Sequence, residues 1–398
     1  MTIATASSLY ASPNPLAAYY SRFRVGERLL LTGHSHQAWP DRAELGHRRA
    51  WEDAAEYVDR KWEHAEERAD RVRAGFAHLL DTPADTLSLG ASTHELVVRW
   101  LSALPLSERP CVVTTDAEFH SARRQLKRAE EAGLQVVWVP ASPAATVAER
   151  LVERIDDSVA AVVVSTVFYD SGELACDLEA VARACDAHGT ALLLDVYHQL
   201  NVVPFSLKEH GLETAFVTGG GYKYCQLGEG NCFLRAPADC TLRPVITGWF
   251  AEFEQLESTD PKRVTYGPLT VRFAGATYDP TSHYRAAEVF AFFDEMRLTP
   301  ELLREVSQHQ VALLRDEFDA LDLPTEMISR KDIALERLAG FLALRSPSAR
   351  RIQSELAQRG VLTDARGEVL RLGPAPYLSD VQLRDAARAL GEVARRLS

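Results

Sequence analysis

The chain has 398 residues, 44 Lys+Arg against 56 Asp+Glu for a formal net charge of −12, and six Cys. At roughly 100–200 residues per domain the length holds two or three domains, and 46% apolar with 25% charged residues excludes a disordered or fibrous chain. The acidic balance argues against nucleic acid or an anionic membrane as a partner, and no apolar run approaches the ~20 residues that cross a bilayer. The N-terminus MTIATASSLYASPNP has neither a basic n-region nor an apolar h-region. Cys111, Cys176, Cys185, Cys225, Cys232 and Cys240 show no C-x-x-C spacing, which suits a reducing compartment. The expectation is a cytoplasmic globular protein.

In chain order, residues 44–80 carry apolar positions at helical spacing and predict one long helix or two. Short apolar runs then alternate with amphipathic stretches. TLSLG, CVVTTD, LQVVWVP, VAAVVVST, ALLLDVY, TAFVTGG and NCFLRA read as strands; HELVVRWLSAL, SARRQLKRAEEAG, TVAERLVERI and LEAVARACDAHG read as helices. Strands separated by helices of 10–15 residues imply βαβ units and a mostly parallel sheet covered on both faces. After about residue 285 the pattern turns to long helices and a few weak strands, GFLALR and VLRLG. The expected organisation is an α/β large domain over 44–284 and a small α+β domain over 285–398. Residues 1–43 should pack on the latter.

Missing motifs narrow the chemistry. No G-x-G-x-x-G opens a helix and no G-x-x-x-x-G-K-[ST] occurs, so nicotinamide and P-loop readings lose their support; H-E-x-x-H and G-x-S-x-G are absent too. His34 and His36 flank Ser35, but two His at i, i+2 without a third ligand make a poor metal site, and no metal is expected.

Asp195 ends the run ALLLD, and a carboxylate there points into the crevice where α/β sheets bind ligands. Taken alone, a helix cap or a surface turn explains it better. Lys223 follows 28 residues later, just after the next strand-like run, between Tyr222 and Tyr224. Lys is seldom enclosed without a role, and desolvation lowers its pKa toward Schiff-base chemistry. Strand-end Asp and Lys together match the needs of pyridoxal phosphate, whose aldehyde is held by the Lys and whose pyridinium nitrogen pairs with the Asp. Ser92 and Thr93 stand where a strand runs into the helix HELVVRWL, a phosphate-friendly helix N-terminus that plain capping would also explain. Phe119 follows CVVTTD and is placed to stack on the ring, unless it is simply core.

D-V-Y-H (Asp195 to His198), G-G-Y-K (Gly220 to Lys223) and G-W-F (Gly248 to Phe250) resemble kynureninase and its class V aminotransferase relatives, fold type I of the pyridoxal-phosphate enzymes. S-T-V-F-Y-D-S-G (Ser165 to Gly172), R-K-W (Arg60 to Trp62) and D-A-R-G-E-V-L-R-L-G-P-A-P-Y (Asp364 to Tyr377) extend the likeness over most of the chain. The resemblance implies that Lys223 forms the Schiff base, Asp195 pairs the ring nitrogen and Phe119 stacks on the ring. Ser92, Thr93, Ser121, Tyr222 and Trp249 would line the phosphate region; Ser165 and His198 would sit near the ring and its 3′-oxygen. Thr277 would reach the phosphate of a neighbouring subunit, since the family builds its sites across a homodimer. Arg371 would bind the substrate α-carboxylate through a guanidinium fork, unless it only pairs with Asp364 or Glu368.

The sequence also departs from kynureninases. Ala122 stands three residues after the stacking Phe, where they carry Asp, and Gly33-His34-Ser35-His36-Gln37 replaces their G-N-S-L-G. His34 and His36 are therefore expected to be titratable substrate-binding donors near neutral pH. E-F-H-S (Glu118 to Ser121) is similar to the E-H-H-S of cysteine desulfurases, yet no Cys occurs between 330 and 370 to act as their mobile nucleophile. The leading expectation is a kynureninase-like enzyme that cleaves an amino acid side chain hydrolytically but acts poorly on kynurenine itself. Class V transamination or C–S/β-lysis is the alternative, and a non-catalytic binding protein is disfavoured by the intact Lys223 and Asp195.

Overall fold

The computed structural model describes residues 5–255 and 262–397. After the two-residue strand β1 (Leu29–Leu30), the apolar period over 44–80 resolves into two helices, Ala43–Tyr57 and Lys61–Leu80. They part because Val58 leaves helical space at φ 52°, a region that branched residues rarely occupy. The central strands follow: β2 (Leu87–Gly90), β3 (Cys111–Thr115), β4 (Gln135–Val139), β5 (Val159–Ser165), β6 (Ala191–Asp195), β7 (Phe216–Gly220) and β8 (Cys232–Arg235). Each sits inside an apolar run of the sequence.

These seven form one sheet in the order β2-β8-β7-β6-β5-β3-β4. The pairs among β3, β4, β5, β6 and β7 are parallel, while β8 runs antiparallel to both β7 and β2. Consecutive side chains bury on opposite faces. Val112, Ala161, Leu193 and Phe216 join Trp100 and Leu96 on one side; Val113, Val162, Leu194 and Val217 join Phe76 and Val181 on the other. Two-sided burial, worth about 1.5–3 kcal/mol per large apolar side chain, is why these strands read VVV and LLL rather than alternating.

The later strands are β9 (Ser329–Arg330), β10 (Leu342–Arg345), β11 (Val361–Leu362), β12 (Asp364–Arg366) and β13 (Val369–Leu372). Four of them make an antiparallel sheet ordered β12-β13-β10-β9, and β11 pairs in parallel with β1. The chain before residue 40 is fastened to this region. Leu31 N–H donates to Leu362 O at 2.8 Å, Gly33 N–H to Gly373 O at 2.7 Å, and Asn14 Nδ2 to Pro376 O at 2.9 Å.

β3 and β5 are neighbours although the chain visits β4 between them, and from this pair the strand order runs outward in both directions. Crevices form at such a switch point, beyond the carboxyl ends of the strands.

Candidate active site

Four of the five parallel strands deliver polar or aromatic residues to that one edge. Beyond β3 come Glu118 and Phe119; β5 ends at Ser165, β6 at Asp195, and β7 leads through Gly220 and Gly221 to Lys223. β8 starts at Cys232 opposite Gly220, and Gly90 at the end of β2 faces Cys232 from the other side. Gly220 must lack a side chain, because a Cβ there would lie 2.5 Å from Tyr197 Oη and 2.6 Å from Cys232 Sγ.

A cleft of about 240 Å³ opens at this edge. Eight of the residues singled out from sequence line it together: Ser92, Thr93, Phe119, Ser121, Asp195, His198, Tyr222 and Lys223. Lys223 is buried, with Nζ 2.8 Å from His198 Nε2 and 4.5 Å and 5.1 Å from the ring centres of Tyr197 and Phe119. Burial pulls its pKa down to about 7 against the opposing pull of Asp195. Burial also pushes the Asp195 carboxyl up, so the pair is driven toward its neutral forms. Asp195 Oδ1 accepts the Tyr197 N–H at 2.9 Å. His198 is held neutral, well below the usual imidazole range, first by burial and then by the Lys223 charge.

At one end of the cleft the helix Thr93–Leu101 presents its N-terminus, with the Ser92 hydroxyl capping Glu95 N–H at 3.3 Å. The Thr93 N–H meets Cys232, whose thiol is pushed up to about 12, chiefly by burial. Arg371, on β13, does not line the cleft; it lies behind His198, whose ring is 6.4 Å from that of Phe341, and is fully buried against the Phe341 ring. Its Nη1 donates to Tyr169 O at 2.8 Å and its Nη2 pairs with Asp364, while Nε is buried without a partner. Arg366 reaches the same Asp364 oxygen at 3.5 Å. Two guanidiniums on one carboxylate leave a net charge of about +1.

Several sequence expectations need correction or qualification. His34 is fully buried, 4.8 Å from the Phe341 ring, with neither ring nitrogen hydrogen-bonded. Burial drops its pKa to about 3 despite Asp364 at 3.6 Å, so it is a neutral neighbour of Arg371 and not a titrating donor near pH 7. His36 stays at the surface, stacked on Tyr222 at 4.8 Å and 3.7 Å from Glu229. Ser165 does not line the cleft: its hydroxyl is donated to the buried Glu118 at 2.6 Å. Trp249 is 42% exposed against Phe250 and Phe253, outside the cleft of its own chain. Thr277 lines a neighbouring cavity of about 610 Å³ that shares Ala91, Glu229 and Gly230 with the cleft. Glu118, Tyr197 and Asp364 were given no site role from sequence. All three stood inside quoted motifs, but only tertiary proximity gives them meaning.

No protein-family model matches the sequence. The chain is 22% identical over 341 residues to an uncharacterized aminotransferase, YcbU, of Bacillus subtilis, covering 84% of this chain and 86% of that one. It is 25% identical over 243 residues to a kynureninase of Geobacillus thermodenitrificans, covering 57% and 52%. Among solved structures, a mutant of the cystine C-S lyase C-DES with glycine covalently linked to its pyridoxal-phosphate cofactor superimposes with a TM-score of 0.83 at 14% identity, covering 95% and 99%. The fold is fold type I. The residues present fit that cofactor. A desolvated amine, a strand-end carboxylate, an aromatic platform and a helix N-terminus share one cleft of suitable size.

Proposed function

We infer that this class V aminotransferase-like chain, a pyridoxal-phosphate enzyme, acts on an α-amino acid and cleaves its side chain. The observation that carries the reading is the buried Lys223 amine, drawn to about pH 7 beside Asp195. An amine of that pKa is neutral often enough to bond a carbonyl carbon and protonated often enough to return a proton.

When bound, pyridoxal phosphate supplies an electron sink for negative charge at the amino acid's Cα. Lys223 Nζ would hold the cofactor and, once released from it, move the proton at Cα. Asp195 would keep a proton on the ring nitrogen, and Phe119 would cover the ring face. Ser121, Tyr222 and the N–H groups around Thr93 would hold the phosphate, with the helix dipole behind them. Arg371 would grip the α-carboxylate through its unspent Nε donor and its fork, oriented by Asp364 and by Tyr169 O. Neutral His34 and Phe341 would exclude water around that ion pair, which strengthens it.

Hydrolytic cleavage of the kynureninase type is the first reading, supported by the kynureninase likeness and by the motifs around Asp195, Lys223 and Arg371. The replaced loop at Gly33–Gln37 points to a side chain other than kynurenine's. C–S lysis is the second, favoured by the fold likeness to C-DES. Sulfur transfer to a protein thiol has no support: Cys232 is the thiol lining the cleft, and burial keeps it protonated. The test is to incubate the reconstituted protein with kynurenine, cystine, cysteine and acidic amino acids, identifying products by mass spectrometry. A side-chain fragment plus alanine supports hydrolysis, and pyruvate with sulfide or persulfide supports C–S lysis. A keto acid that retains the whole side chain, or no product from any amino acid, overturns side-chain cleavage.

A further inference from the structure

Three polar side chains stand in a row at the carboxyl ends of β3, β5 and β6. Glu118 is fully buried, three residues past the end of β3. Its Oε1 accepts the Thr115 hydroxyl at 2.7 Å and the Ser165 N–H at 3.1 Å; its Oε2 accepts the Ser165 hydroxyl at 2.6 Å. Ser165 ends β5 and is the register partner of Asp195 on β6. A buried carboxyl is destabilising unless its lone pairs are met, and here three donors from two strands meet them. Burial nevertheless raises its pKa to about 7, with the Asp195 charge adding to the rise.

The next residue is Phe119, whose backbone at φ −61°, ψ 150° turns the chain into the helix His120–Glu131 and whose ring covers Lys223. Otherwise the turn is held chiefly by Asp116, whose N–H donates to Val139 O at 3.0 Å and whose Oδ1 accepts Ala141 N–H at 2.9 Å. Those bonds lead away from the cleft, toward β4. On the cleft side the tie is Glu118.

We propose that Glu118 is a positioning residue: by tying the end of β3 to the end of β5 it fixes the Phe119 ring over the cleft. The cofactor half of this statement rests on the function proposed above; the tie itself does not.

The test uses full-length Glu118→Ala, Glu118→Gln, Ser165→Ala and the double Glu118→Ala/Ser165→Ala variant, each first without cofactor and then titrated with pyridoxal phosphate. Amide hydrogen exchange over residues 116–121 of the cofactor-free protein reads the tie directly. In Glu118→Ala that exchange should accelerate about tenfold or more, and the dissociation constant for pyridoxal phosphate, from fluorescence quenching, should rise by about tenfold. Glu118→Gln keeps both acceptor contacts at Oε1 and can donate to Ser165 Oγ, so both readouts should return to within about threefold of wild type. The double variant should bind no more weakly than Glu118→Ala alone, because the two residues act through one contact. Unchanged exchange in Glu118→Ala overturns the tie. Faster exchange with unchanged cofactor affinity, or additive effects in the double variant, overturns the positioning role. If Glu118→Ala does not fold, Ser165→Ala decides: a rise of about threefold in both readouts supports the proposal and wild-type values overturn it. A wild-type protein that binds no pyridoxal phosphate refutes the proposed function while leaving the exchange test of the tie intact.

Discussion

At Lys223 burial and charge oppose one another, and the outcome fixes how the residue responds to pH. An exposed lysine gains nucleophilicity up to about pH 10.4. Lys223, pulled to about 7 by burial, is mostly cationic below that value and mostly neutral above it. The rate of reconstitution with pyridoxal phosphate should therefore rise through pH 7 and level off by about pH 8; stopped-flow absorbance that keeps rising to pH 10 would contradict the assignment. Borohydride treatment should then fix the cofactor on the Lys223 peptide and on no other. Asp195→Asn should keep the cofactor yet lose roughly a hundredfold or more in kcat, since a neutral amide does not hold a proton on the ring nitrogen. Arg371→Lys keeps the charge but loses the planar fork, so KM for the amino acid should rise about tenfold or more with a smaller change in kcat. Equal KM values would return Arg371 to a purely structural pairing with Asp364.

Among the elements, the close approach of the Gly33–Gln37 loop to the end of β13 is the most exposed to change. A Cβ on Gly373 would collide with His34 Nδ1, and backbone bonds clamp Gly33 and Gly373 together. Gly373→Ala should cost about 1–3 kcal/mol in urea unfolding, as overpacked sites do, and should raise KM by shifting the wall of the Arg371 subsite. The same place shows where sequence reading stops. The central strands were legible because burial on both faces leaves uninterrupted apolar runs, and Asp195 and Lys223 stood out as charges ending two of them. Periodicity carries no direction, so nothing in NCFLRA announced that β8 runs antiparallel. Strands of two or three residues such as β9, β11 and β12 are too short to show a period. The neutrality of His34 depends on burial against Phe341 and Gly373, over 300 residues away in the chain, which outweighs the pull of Asp364.

For the whole molecule, Trp249 and Phe253 pack 5.2 Å apart while 42% and 50% exposed, and Val245 and Ile246 of the same segment are 82% and 51% exposed, the kind of apolar surface that marks an interaction site. Together with Thr277 outside its own cleft, this supports a homodimer in which each subunit completes the other's phosphate end. Sedimentation velocity at micromolar concentration should give a dimer. Trp249→Ala combined with Phe253→Ala should shift it toward monomer and weaken cofactor binding by about tenfold. A wild-type monomer with full cofactor affinity would remove the shared-site reading.

The pairing of β1 with β11, and of Gly33 with Gly373, has a consequence for biosynthesis. Translation at about 5–20 residues per second places the partner of β1 roughly 330 residues, and on the order of half a minute, behind it. The hairpin of β7 and β8 that carries Lys223 emerges well before that, next to Asp195. Lys223 and Asp195 are thus made while Arg371, which would grip the substrate carboxylate on the function proposed above, is still unmade. On that reading the groups that would hold the cofactor are made before the one that would select an amino acid.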